Sequence, residues 1–221
     1  MNPYLKYFTA ISTLYVALLL LGNDSLAYYF KPSLLPFLIL AVNGNDPFPT
    51  KKWLLSALLF SWIGDIILMF SDKGELFFIF GLVSFLIAHI IFIVLFIKQD
   101  TEDKPVNKTL LGLGVVAVIA YLSIMLSTLY PSLGGLKIPV TVYAICISTM
   151  LAMSIRGALA WRKPMNLLIL GGALSFVTSD SLLAINKFYT PLPKASFLIM
   201  ITYLVAQYLI TDGVLKLNNR K

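Results

Sequence analysis

The chain has 221 residues, 59% of them hydrophobic and only 12% charged, with a formal net charge of +7 and a mean hydropathy of +0.88. That composition excludes an ordinary soluble globular domain and reads as a polytopic membrane protein. The basic residues are dispersed among connectors, which argues against nucleic-acid binding, and the single cysteine, Cys146, excludes an intrachain disulfide and a metal cluster built on cysteine.

Apolar runs of about 17 to 25 residues are long enough to cross hydrocarbon, where only helices and closed barrels satisfy their backbone. The runs are continuous rather than alternating, so the expected fold is all-α: a bundle of eight transmembrane helices in one domain spanning 1–221. The spans fall at about 4–21, 25–42, 52–71, 75–97, 108–130, 138–160, 165–186 and 195–215. Between them stand Gly-Asn-Asp at 22–24, NGNDPFP at 43–49, SDKGE at 71–75, KQDTEDKPVNK at 98–108, PSLGG at 131–135, RKP at 162–164 and FYTPLPK at 188–194. Each gathers Gly, Pro, Asn or charge where a helix should stop.

On the side of the N-terminus this topology places Lys6, Lys51, Lys52, Lys98, Lys104, Lys108, Arg156, Arg162, Lys163, Lys216, Arg220 and Lys221. Only Lys31, Lys73, Lys137, Lys187 and Lys194 fall opposite. Twelve against five puts both termini in the cytoplasm by the positive-inside rule. Trp53 and Trp161 at inner span ends, with Tyr28, Tyr29 and Tyr130 at outer ones, are placed as an aromatic belt. The first run, with Lys6 before it and Ser25-Leu26-Ala27 after it, also reads as a cleavable secretory signal. Cleavage would leave seven spans of unchanged sidedness.

In the second span Lys31 lies in the outer third, and Pro32 and Pro36 are expected to bend the helix. Lys31 either snorkels to the headgroups or holds an anionic lipid phosphate. The third span carries Asp65 inside SWIGDIILMF, about 5 Å beyond mid-depth at 1.5 Å per residue. A carboxylate there is costly and marks function by default. Its bland alternative is a helix-helix hydrogen bond, with Ser61 or a neighbour as partner. The fourth span holds the only histidine, His89, on one face with Gly81 and Phe85. His89 is either bonded structurally to another helix or part of a proton relay or lipid contact.

The fifth and sixth spans are the least informative. Gly112, Gly114 and Gly157 suit close helix approach there, and Tyr143, Met150 and Arg156 are the polar or adaptable positions. The seventh span repeats the third: SFVTSDSLLAIN sets Asp180 at the same depth as Asp65, with Thr178 or Ser181 as its bland partners. The remaining acidic residues, Asp212 among them, are assigned to connectors or helix ends. Asn186 and Lys187 lie near the outer end of the seventh span, at headgroup depth. In the eighth span, SFLI followed by Ala206-Gln207 echoes SFLI followed by Ala88-His89. With the two aspartates 115 residues apart, the pattern is that of a four-helix unit repeated in parallel, 1–106 and 107–221.

Taken together, Lys31-Pro32, Gly64-Asp65, Gly81 through Phe85 to Ala88-His89, Gly172-Ala173 through Phe176 to Ser179-Asp180-Ser181, and Tyr203 through Ala206-Gln207 resemble the YhhN-like lysoplasmalogenase family of eight-span membrane proteins. The resemblance covers nearly the whole chain and lies in the order and spacing of short motifs. It implies hydrolysis of the vinyl ether of a lysophospholipid substrate, an alkenyl-glycerophosphoethanolamine or alkenyl-glycerophosphocholine, to a fatty aldehyde. It also carries the family's paired intramembrane aspartates onto Asp65 and Asp180.

Two aspartates suit that chemistry. Vinyl ether hydrolysis needs a carboxylic acid to protonate the β-carbon and a carboxylate to stabilise the cation and activate water. Lys31 would then hold the phosphate by charge, and His89, Ser179, Tyr203 and Gln207 would orient water or the glycerol hydroxyl. No metal or cofactor is required. Two other functions use the same residues. A proton-coupled carrier or channel would relay through Asp65, Asp180 and His89. An intramembrane aspartyl protease is disfavoured because neither aspartate sits in a Gly-x-Gly-Asp motif. The expected partners are the substrate and membrane lipids, in the inner membrane if the source is bacterial.

Overall fold

A computed structural model describes residues 2–99 and 106–219 of the chain. The acidic stretch of the 98–108 connector, with Asp100, Glu102, Asp103 and Lys104, lies outside the described residues, as do Arg220 and Lys221. Among the described residues all regular structure is helical. The helices are α1 (Pro3–Leu20), α2 (Asp24–Phe30), α3 (Leu34–Asn43), α4 (Lys51–Leu68), α5 (Glu75–Lys98), α6 (Lys108–Leu129), α7 (Lys137–Ala160), α8 (Met165–Ala184) and α9 (Ala195–Asn218).

Among the described residues, seven segments are long and apolar enough to cross a membrane: Pro3–Leu20, Asp24–Asn43, Glu75–Lys98, Lys108–Ser132, Gly134–Ala160, Met165–Tyr189 and Ala195–Asn218. The chain is an integral membrane protein. The expected third span, α4, is not in that set, and it carries Lys51, Lys52 and Asp65 within its eighteen residues. The chain divides into two compact units, Met1–Leu95 and Phe96–Lys221.

In the first unit, α1 starts on Asn2, whose side chain accepts from the Tyr4 amide at 3.0 Å and donates to the Ala41 carbonyl at 3.0 Å. Pro3 then costs nothing, because the first helical N–H has no intrahelical partner. Leu5, Phe8, Ser12, Tyr15 and Leu19 are the buried positions of α1. Their alternating three- and four-residue spacing makes one stripe, and α1 packs on α3. The second span is bent at one of its two prolines. A 3-10 turn, Lys31–Ser33, separates α2 from α3 at Pro32. Pro36 makes no break, since it falls in the first turn of α3, where its missing N–H is not needed.

At the other end of α3, the Lys51 ammonium donates to the carbonyls of Asn43 at 2.8 Å and Asn45 at 2.6 Å. A cation there complements the negative end of the helix dipole. The helix α4 ends at Leu68 rather than 71, and a 3-10 turn, Ser71–Lys73, leads to α5. The two helices touch closely. A Cβ on Gly64 would stand 2.7 Å from the Phe85 ring, and one on Gly81 would stand 2.5 Å from Leu68. Ser84 Oγ donates to the Phe60 carbonyl at 2.6 Å.

In the second unit, α6 packs on α7, α7 on α8 and α8 on α9. Helix α6 is the least covered, with Val118 and Leu129 its buried residues. Of the three glycines expected to admit a neighbouring helix, only Gly114 does so, against Ile155. Gly112 faces open space, and Gly157 makes room for the Trp161 indole at the end of its own helix. That corrects the reading of Trp161 as a belt residue. It is 3% exposed and stacks edge-on with Phe96, because Gly157 offers the ring a dry surface.

Helices α8 and α9 lie closest. A Cβ on Gly172 would meet Ile210 Cγ1 at 2.7 Å, its backbone nitrogen at 2.9 Å and the Ala206 oxygen at 3.0 Å, and one on Gly213 would meet Ile169. Phe176 and Tyr203 stack edge-on at 5.5 Å. A π-helical turn, Ile185–Tyr189, closes α8.

Candidate functional site

The first unit contributes Asp65, Lys31 and His89. Asp65 is 4% exposed and sits one residue after Gly64, whose bare Cα admits the Phe85 ring. Tyr15 of α1, itself buried, lies within electrostatic reach of it. Ser61, one turn earlier on α4, makes no hydrogen bond from its Oγ, so the bland Asp65–Ser61 pairing is not formed. Also one turn from Asp65, Trp62 Nε1 donates to the Pro32 carbonyl at 2.7 Å. This bond fastens the half-buried Lys31 turn to the helix that carries the aspartate. His89 is fully buried on α5, one turn after Phe85.

The second unit contributes Asp180, Ser179, Asn186, Tyr203 and Gln207. Asp180 is half-buried, and the Tyr143 hydroxyl of α7 donates to its Oδ2. The local partners of the bland reading are engaged elsewhere. Thr178 Oγ1 donates to Leu174 at 2.9 Å, and Ser181 Oγ donates to Val177. A hydroxyl has one proton, so the bond between Ser181 and Tyr121 is donated by the tyrosine. Tyr121 is also within electrostatic reach of Asp180. Each aspartate is therefore accompanied by a tyrosine of its own unit.

The other residues of this unit are held in different ways. Ser179 Oγ donates across to the Ile199 carbonyl of α9 at 3.0 Å. Asn186 accepts from the Leu192 amide at 2.9 Å and so shapes the turn after α8. Tyr203, packed on Phe176, lies within electrostatic reach of Tyr143. Gln207 is fully buried, and neither atom of its amide head finds a hydrogen-bond partner.

Sequence reasoning passed over the roles of Tyr143, Tyr121 and Tyr15. Nothing in an apolar run says which of eleven tyrosines faces a carboxylate. It also misplaced Asp212, which is 5% exposed inside α9 and pairs with Lys216 at 2.6 Å. The four-residue spacing of that pair was the available signal. Among the described residues no cluster of three or more His, Cys, Asp or Glu could hold a metal ion.

The profile of the YhhN family matches residues 26–214. A protein of Mycobacterium bovis named lysoplasmalogenase is 32% identical over 196 residues, which cover 88% of this chain and 72% of that protein. Lysoplasmalogenase TMEM86B of Sus scrofa is 32% identical over 163 residues, covering 73% of this chain and 62% of its own length. Lysoplasmalogenase TMEM86A of Homo sapiens is 31% identical over 175 residues, covering 73% and 65% respectively. The chain thus spans less than two thirds of these two mammalian relatives. No solved structure matches it significantly.

Proposed function

This chain belongs to the YhhN family, and from that membership we propose that it is a lysoplasmalogenase, hydrolysing the vinyl ether of an alkenyl-glycerophospholipid to a fatty aldehyde and a glycerophospho head group. The observation that carries the reading is the 32% identity over 88% of the chain to a protein of that name.

The reaction is R–CH=CH–O–R′ + H2O → R–CH2–CHO + HO–R′. A carboxylic acid protonates the β-carbon and an oxocarbenium ion forms at the α-carbon. Water adds there, and the hemiacetal collapses to aldehyde and alcohol. Asp65 and Asp180 supply the acid and the carboxylate. The hydroxyl donated by Tyr143 to Asp180 supports giving Asp180 the carboxylate role, because a phenol makes its strongest hydrogen bond to an ionised acceptor. Asp65 is then the proton donor. Lys31 binds the phosphate, Asn186 the head group, and His89, Ser179, Tyr203 and Gln207 orient water or the glycerol hydroxyl.

The proposed topology has eight spans, with α4 as the third and both termini cytoplasmic, built as a parallel repeat of four helices. The carbonyls that take up the Lys51 ammonium support counting α4 as a span, since they satisfy one of its three charges at the helix end. In a bacterial source the membrane would be the inner one. Release of fatty aldehyde from a lysoplasmalogen by the purified protein tests the activity.

A further inference from the structure

A hydrolase whose carboxylates lie within the membrane consumes one water per turnover at a depth where bulk water is absent. On α9, Gln207 and Thr211 stand one turn apart and so share a face. Both are fully buried, and neither the Gln207 amide nitrogen, the Gln207 amide oxygen nor Thr211 Oγ1 has a hydrogen-bond partner. One turn earlier on the same row stands Tyr203, which lies within electrostatic reach of Tyr143, the residue bonded to Asp180. One residue beyond Thr211 is Asp212, which pairs with Lys216 one turn further towards the end of α9 at Asn218. The polar row Tyr203, Gln207, Thr211 therefore points along α9 towards its C-terminal end.

Buried polar groups left without partners are costly, and ordered water is the usual partner supplied to them. A glutamine head offers two donors and an acceptor, and a threonine hydroxyl offers a donor and an acceptor. Two such groups a turn apart can hold a water between them. Apolar packing alone gives no reason for glutamine at a position of zero exposure, because leucine of similar length would fill it without the penalty.

We propose that the Gln207–Thr211 face of α9 is a hydration site, holding ordered water on a route between the C-terminal end of α9 and Asp180. This inference rests on the hydrolase reading for its purpose, but the water can be detected without turnover. Gln207 and Thr211 act as positioning residues for that water, not as catalytic residues.

The test has two arms on the full chain in detergent. In the first, brief radiolysis in 18O-labelled water is followed by mass spectrometry of Tyr203 and Ile210, which are 3% and 0% exposed. Both should take up label in the wild type, and in the Gln207→Leu/Thr211→Val double variant the uptake should fall severalfold. Thr211→Val alone, a nearly isosteric change, serves if the double variant fails to fold, and should lower it by a smaller factor. Absence of label in the wild type, or equal label in wild type and variant, overturns the proposal.

In the second arm, aldehyde release by the variants should fall on the order of tenfold in kcat with KM unchanged, as expected for a group acting on water and not on bound lipid. The thermal midpoint should hold or rise. Unchanged kcat in a folded variant overturns the delivery role. A wild type that takes up label yet releases no aldehyde would contradict the hydrolase reading and leave the hydration site standing.

Discussion

The Tyr143 hydroxyl on α7 donates its hydrogen bond to Oδ2 of Asp180 on α8. Tyr143 is 8% exposed, so the bond is shielded from competing water on the tyrosine side. The phenol thus helps to fix the direction in which the carboxyl group points. In the proposed mechanism Asp180 is the carboxylate that faces the developing cation, and there that direction matters more than the affinity of the pair.

Tyr143→Phe keeps the ring and removes only the donor. A hydrogen bond to a charged acceptor contributes about 1.5–3 kcal/mol, so aldehyde release should fall roughly ten- to a hundredfold in kcat. KM for the lysolipid should stay within about twofold, since the phenol touches Asp180 and not the head group. Steady-state kinetics of the purified variant check this, and an unchanged kcat would remove Tyr143 from the account.

Lys31 provides a contrast. It stands in the 3-10 turn held by Trp62 and is half-buried. A cation that binds the phosphate in ground and transition states alike lowers KM without altering kcat. Lys31→Gln should therefore raise KM several-fold, by roughly the 1 kcal/mol of a partly screened ion pair, with kcat nearly constant. A selective drop in kcat would instead place Lys31 near the reacting carbons.

The glycines separate packing from chemistry. At Gly172 the obstacle to a methyl group is the backbone of Ile210 and Ala206, 2.9 and 3.0 Å away, which cannot turn aside as a side chain can. Gly172→Ala should destabilise the protein by about 1–3 kcal/mol. At Gly112 nothing lies within 4 Å, so Gly112→Ala should be neutral or stabilising by up to about 1 kcal/mol from helix propensity. Thermal unfolding of the two variants in the same detergent makes the comparison, and equal midpoints would contradict the α8–α9 packing.

Much of this fold is legible in the sequence because its signals are chemical. Runs bounded by Gly, Pro and charge locate the helices within a few residues, and Pro32 marks where the second span bends. Pro36 is not legible in the same way, since its effect depends on whether a helix starts just before it. Asp65 and Asp180 stand out in apolar runs, whereas Tyr143, Tyr121 and Tyr15 are equally at home in a lipid-facing belt and in a core. Which face of α7 meets α8 is a packing outcome. Trp161 shows the same limit: its position at a span end suggests the interface, but Gly157 one turn earlier opens a slot that buries it.

The central claim concerns the two aspartates Asp65 and Asp180, and one assay addresses it. Purified wild-type protein, Asp65→Asn and Asp180→Asn are incubated with a lysoplasmalogen and, as control, a lysolipid with a saturated ether, and fatty aldehyde is measured. The account predicts aldehyde from the vinyl ether alone, and at least about a thousandfold less from either variant, the order expected when a catalytic group is lost, with each variant still unfolding cooperatively in detergent. Aldehyde release by either folded variant at the wild-type rate would contradict the assignment of Asp65 and Asp180 as the catalytic acid and carboxylate.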